Sequence, residues 1–85
     1  MKEFVFRVND AAGLHARPAG LLVKCAKACQ SQITIIKDEK QVDATRLMAV
    51  MGLGVKKGEC ITIRVIGETE NTDIATIQTF LEENV

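Results

Sequence analysis

Apolar residues in this chain recur with two different periods, and the switching between them limits the folds open to it. From Lys2 to Val8 the period is two, with Phe4, Phe6 and Val8 on one side and Glu3, Val5 and Arg7 on the other. That is the pattern of a half-buried strand. From Ala16 to about Gln30 the period lengthens: Ala19, Leu22, Val23 and Ala26 fall at i, i+3, i+4 and i+7, the buried stripe of a helix. Pro18 sits in the first turn of that helix, where its missing N–H would have had no partner. Ile33 to Lys37 is a β-branched run, Asp38-Glu39 a turn and Lys40 to Val42 a short returning strand, so this pair predicts a hairpin.

Asp43-Ala44-Thr45 offers capping side chains for a second, short helix from Arg46 to about Gly52 or Leu53. Cys60 to Ile66 returns to the period of two, with Ile61, Ile63 and Val65 inward and Thr62 and Arg64 outward. A last helix runs from a cap at Thr69 or Asn71 to about Glu83, burying Ile74, Ile77 and Leu81. Glu70 and Asp73 suit its first turn, where the helix dipole favours negative charge. The predicted order is βαββαβα, without repeats or linkers.

Eighty-five residues are expected to form one domain spanning residues 1–85, because two would each be too small to hold a core. With 11 basic and 11 acidic side chains, no whole-molecule field points to nucleic acid or a membrane. Their distribution says more. From Glu68 onward there are five acids and no base, whereas Arg17 to Lys27 holds three bases and no acid.

The three cysteines, Cys25, Cys29 and Cys60, follow no metal-binding spacing with His15, so no metal is expected and they read as small apolar fillers. The chain enters a strand pattern without a signal peptide, and its longest apolar run is far short of a membrane span. A cytoplasmic protein without membrane insertion is the expectation.

The chemistry concentrates at Gly13-Leu14-His15-Ala16-Arg17-Pro18-Ala19, which holds the only histidine and the only proline. His15 stands just ahead of the first helix, whose opening N–H groups lack intrahelical partners and attract anions. A neutral imidazole is a nucleophile, and a phosphoryl group placed on it would meet those N–H groups and the Arg17 guanidinium. Arg17, Gly20, Lys24 and Lys27 fall at i, i+3, i+7 and i+10, a basic stripe that is either a solvated face or a docking edge for an acidic partner. Leu47-Met48-Ala49-Val50-Met51 is apolar all round, so this helix either exposes one or two residues as an adaptable contact surface or is sunk between neighbours.

Competing chemistry is thin. Gly52-Leu53-Gly54-Val55-Lys56-Lys57-Gly58 has glycines but not the Lys and hydroxyl that a nucleotide loop places directly after the last one. These glycines read as a helix stop and a turn. Ser31 is the only serine and has no base beside it, so a Ser-His hydrolase has no support. One nucleophile without a donor site of its own describes a relay protein better than a self-sufficient enzyme. No cofactor is expected.

The segment Gly13 to Ala19 resembles the active-site signature of the HPr family, the histidine-containing phosphocarriers of the bacterial sugar phosphotransferase system. The resemblance extends over the whole chain, through its length, its βαββαβα order and the Leu47–Gly54 segment. It implies an α+β open-faced sandwich, a four-stranded antiparallel sheet with three helices on one face. It further implies that enzyme I, charged by phosphoenolpyruvate, phosphorylates Nδ1 of His15, and that the group passes to the enzyme IIA domain of a sugar permease. Arg17 matches the phosphate-assisting arginine, with Ala16 beside it at the phosphate. Gly20, Lys24, Lys27, Leu47, Met48 and Met51 match the partner-docking surface. A monomer is expected.

One position departs from the family. Many members carry, at the start of the second helix, a serine that an ATP-dependent kinase phosphorylates; here it is Arg46, with Thr45 out of register by one. The expectation is that this switch is absent and that Arg46 strengthens docking to acidic partners. Two alternatives remain at this point. One is an HPr-like regulatory paralogue whose phosphorylation state other proteins sense. The other is an RNA-binding βαββαβ module, which is disfavoured because its sheet face should carry stacking aromatics and the chain has no Tyr or Trp.

Overall fold

The structure is a computed structural model describing residues 1–85. Its elements run β1 (Lys2–Arg7), α1 (Ala16–Ala28), β2 (Gln32–Lys37), β3 (Lys40–Asp43), α2 (Leu47–Gly52), β4 (Cys60–Ile66) and α3 (Glu70–Asn84). The expected order is therefore realised. The strands form one antiparallel sheet in the order β1-β4-β2-β3.

Register shows how the four strands share one apolar face. Phe4 pairs with Ile63, Ile63 with Ile35 and Ile35 with Val42, so one row of apolar side chains crosses all four strands on the helix-covered face. Ile61, Ile63 and Val65 of β4 and Ile33 and Ile35 of β2 are all buried on that face, and these two strands take the two inner places of the sheet. The opposite face carries the polar partners, including the Glu3–Arg64 ion pair at 2.6 Å between β1 and β4. Three helices cover the apolar face, α1 with Ala19, Leu22, Val23 and Ala26, α2 with Val50, and α3 with Ile77 and Leu81. Each fully buried Leu or Ile contributes roughly 1.5–3 kcal/mol by leaving water. Ile74, expected inside, is only partly buried against this core.

The ends of the helices differ from expectation, each for a physical reason. α1 stops at Ala28 rather than Gln30, with Cys29 already extended. The chain turns there because the Ser31 N–H is required elsewhere: it donates to the Asp73 carboxylate at 2.9 Å, tying the start of β2 to α3. Thr69 is the N-cap of α3, but its hydroxyl donates to that same carboxylate at 2.7 Å and accepts no N–H of the helix's first turn. α2 begins at Leu47, and its N-cap is Arg46, which makes no side-chain cap. Asp43 and Thr45 do not cap it either, because Asp43 Oδ1 accepts the Thr45 N–H at 2.8 Å and the Thr45 hydroxyl at 2.7 Å in a turn of their own.

Asp73 is buried, and its hydrogen bonds from Ser31 and Thr69 hold its carboxyl below the usual carboxylate range. Asp73→Ala would leave the Ser31 N–H buried and unpaired, with an expected loss of about 1–3 kcal/mol in urea unfolding at neutral pH. The sign with pH follows from the lowered value. The Asp73 contribution is complete above the unfolded-chain value near ~4 and is lost as pH falls through and below it. The acid limb of stability should be shallower in Asp73→Ala, though not flat. Asp43, Glu59 and Glu70 are also held low, chiefly by hydrogen bonds from Thr45, from Lys56 and from the N-terminal ammonium.

The cysteines pack as expected for Cys25 and Cys29, which lie against the core, whereas Cys60 is exposed on β4. Burial, with the Asp73 charge added, pushes the Cys29 thiol up to about 11, so it stays a protonated thiol at neutral pH.

Candidate functional site

Gly13 sets the site up. It adopts φ +72°, and a Cβ added there would stand 2.3 Å from the Val55 carbonyl oxygen. Only glycine fits that approach, which lets the Leu14 N–H donate to the Val55 carbonyl at 3.0 Å. The segment ahead of it is a β-turn closed by the Gly13 N–H on the Asp10 carbonyl at 2.9 Å. Leu14 is buried behind the turn, and His15 comes next as the N-cap of α1.

His15 is extended (φ −87°, ψ −172°), and its ring makes no cap to the helix. The side chain is 42% exposed, with Nε2 3.6 Å from Asp10 Oδ1. The first intrahelical bond of α1 is the Ala19 N–H to the His15 carbonyl at 2.9 Å, and Pro18 has no N–H to offer. The N–H groups of Ala16 and Arg17 are therefore the free donors at this helix end. A shallow cavity of about 350 Å³ is lined by His15, Arg17, Pro18 and Leu21 from the α1 side, Asp10 from the turn, and Glu83 and Asn84 from the end of α3.

The residues singled out in the sequence lie on two packed elements. Ala16, Arg17, Lys24 and Lys27 are exposed along α1, with Gly20 half-buried among them. Arg46 and Leu47 are exposed at the start of α2, with Met48 79% and Met51 37% exposed. The basic stripe and the apolar patch thus lie on two helices that pack against each other. The open question about α2 resolves in favour of an exposed patch, with Val50 alone sunk into the core.

Three participants are missing from the sequence-based expectation. Leu21, 43% exposed, contributes an apolar side chain to the wall of the His15 cavity. Glu83 reads in sequence only as part of an acidic helix end, and its approach depends on how α3 docks. Asp10 is legible in principle, because Asp at the first and Gly at the fourth position of Asp10-Ala11-Ala12-Gly13 is a turn signature. Such a turn folds the aspartate back toward the residues just beyond the glycine.

An open-faced sandwich that presents one histidine at a helix start beside a basic stripe and an exposed apolar patch has the form of a small carrier domain. Residues 2–83 match the family described as PTS HPr component phosphorylation site. The phosphocarrier protein HPr of Mycoplasma capricolum is 41% identical over 78 residues, covering 92% of this chain and 88% of that protein. The crystal structure of HPr from Thermoanaerobacter tengcongensis superposes with a TM-score of 0.93 at 37% identity, over 99% of this chain and 94% of that one. The catabolite repression protein Crh of Bacillus subtilis is also similar, with a TM-score of 0.77 and 34% identity over 94% and 92% of the two chains. The chain belongs to the HPr family, the phosphocarriers of the phosphotransferase system. No helix is long and apolar enough to cross a membrane.

Proposed function

We propose that residues 1–85 work as one HPr-like carrier domain that accepts a phosphoryl group on Nδ1 of His15 from phospho-enzyme I and hands it to enzyme IIA domains of sugar permeases. The observation that carries this reading is the exposed His15 ring at the start of α1, with the Ala16 and Arg17 N–H groups free beside it. A dianion formed there meets two unpaired donors, the positive end of a helix and a guanidinium. The histidine supplies the nucleophile, and the partners supply donor and acceptor, so the domain acts as a monomeric cytoplasmic relay rather than an enzyme.

The apolar patch and the basic stripe are proposed as one docking face. Leu47, Met48 and Met51 would seat in the partner, with Gly20, Lys24, Lys27 and Arg46 against its acids. Met48→Glu places a charge at the centre of this patch and should raise KM toward enzyme I roughly 10-fold. Because Met48 is 79% exposed, urea unfolding should be unchanged. Equal KM values would remove α2 from the face.

The relay itself is tested by coupling. With phosphoenolpyruvate and enzyme I alone, pyruvate should appear once per chain; adding a IIA domain and its permease with sugar should make turnover continuous. A second reading, a regulatory paralogue sensed by other proteins, draws support from the likeness to Crh. It predicts charging at His15 without onward transfer to any IIA domain. Arg46 at the start of α2 supports the absence of the family's kinase-controlled serine switch in either case.

A further inference from the structure

We propose that Asp10 is a positioning residue for the phosphoryl step, acting on the ring nitrogen of His15 that does not take the phosphate; this rests on the carrier reading above. Asp10 Oδ1 faces Nε2 at 3.6 Å. The carboxylate is not free to wander. The Asp10 N–H donates to the main-chain oxygen of Val85 at 2.7 Å, and its carbonyl accepts the Gly13 N–H at 2.9 Å. Its Oδ1 accepts the Ala12 N–H at 2.9 Å. Backbone groups on both sides of the turn, together with the end of α3, therefore hold a negative charge opposite one nitrogen of the ring.

A carboxylate opposite Nε2 favours the tautomer that carries the proton there, which leaves the lone pair on Nδ1. That lone pair forms the N–P bond while the bond from phosphorus to the donor breaks and its electron pair leaves with the donor. The ring now carries a formal positive charge with its proton still on Nε2, and Asp10 is its counter-charge. Onward transfer runs the same way in reverse. The N–P bond breaks, its pair returns to Nδ1, and the leaving group is a neutral imidazole. No proton is gained or lost in the cycle. At 3.6 Å the contact is longer than a hydrogen bond, and it should tighten once phosphorylation makes the ring cationic. The remaining charged groups at the cavity, Arg17 and Glu83, stand on α1 and α3 and are not in ion-pair contact with the ring.

Asp10→Asn is the sharpest variant, because its amide oxygen can still accept the Ala12 N–H and keep the turn while the charge is removed. Asp10→Ala removes both. The first readout is ¹⁵N NMR of the His15 ring at pH 9, where histidine rings are neutral. The native chain should show the Nε2–H tautomer, and Asp10→Ala should move toward a mixture. The second is steady-state charging by enzyme I, where Asp10→Asn should lower kcat about 2- to 5-fold, the scale of an exposed ion pair, at unchanged KM. Native tautomer populations in Asp10→Ala together with native kcat in Asp10→Asn would overturn the proposal while leaving the carrier reading intact. A tautomer shift in a chain that no donor phosphorylates would overturn the carrier reading, and with it the phosphoryl role of Asp10.

Discussion

His15→Ala should abolish phosphoryl acceptance outright and leave the fold within about 0.5 kcal/mol of the native stability. The two halves of this expectation come from different observations. The ring is exposed, makes no cap to α1, and its polar contact is the 3.6 Å approach to the partly exposed Asp10 carboxylate. The chain has no other histidine, so no second imidazole can take over. Arg17→Ala should behave differently, keeping the nucleophile but losing charge-assisted hydrogen bonds to the phosphate. Its charging rate should fall roughly 10- to 100-fold, the equivalent of about 1.5–3 kcal/mol. Rate measurements with enzyme I beside urea unfolding of both variants check the pair. Residual acceptance in His15→Ala above the uncharged background would contradict the assignment.

Gly13→Ala should damage stability severely. A left-handed φ costs an alanine about 1–2 kcal/mol, and here the new Cβ also stands 2.3 Å from a backbone oxygen that cannot rotate away. Moving Val55 breaks the Leu14–Val55 hydrogen bond, so the clash propagates to the residue before His15. The total is expected at about 2–5 kcal/mol, or a Tm lower by roughly 10–25 °C. Gly20→Ala is the internal control. Its Cβ would meet nothing within 4 Å on a helical backbone, so the same substitution should stabilise by up to about 1 kcal/mol. Opposite signs at two glycines seven positions apart in one segment distinguish local geometry from a general intolerance of alanine.

Much of this fold is legible in the sequence because it is local. The periods of two and of 3.6 identify β1, α1, β4 and α3, a β-branched run with its turn identifies the β2–β3 hairpin, and Pro18 with the glycine stop at Gly54 marks ends that the structure keeps. His15 is legible as a candidate because a helix start and a neighbour two residues on are both written in the local sequence. The features that escape depend on distant partners. Asp73 looks like an acid suited to a helix dipole, yet its carboxylate ties down the N–H of Ser31, 42 residues earlier. Lys37 looks like the end of a strand, yet its ammonium donates to the carbonyls of Leu53 and Gly54, at 3.3 and 3.2 Å, just beyond α2. Asp43 looks like a cap, but its carboxylate accepts the Thr45 N–H and the Thr45 hydroxyl instead. The sheet order is likewise a product of packing, since nothing in the alternation of β4 says which strands flank it.

The central claim is that His15 holds a phosphoryl group transiently on Nδ1 between two partners. Phosphorus NMR of the chain after incubation with phosphoenolpyruvate and enzyme I tests it most directly. One phosphoramidate signal is predicted, coupled to Nδ1 of His15 in ¹⁵N-labelled protein and discharged on adding a IIA domain. A phosphate ester at Thr45, or no signal from the chain at all, would contradict it.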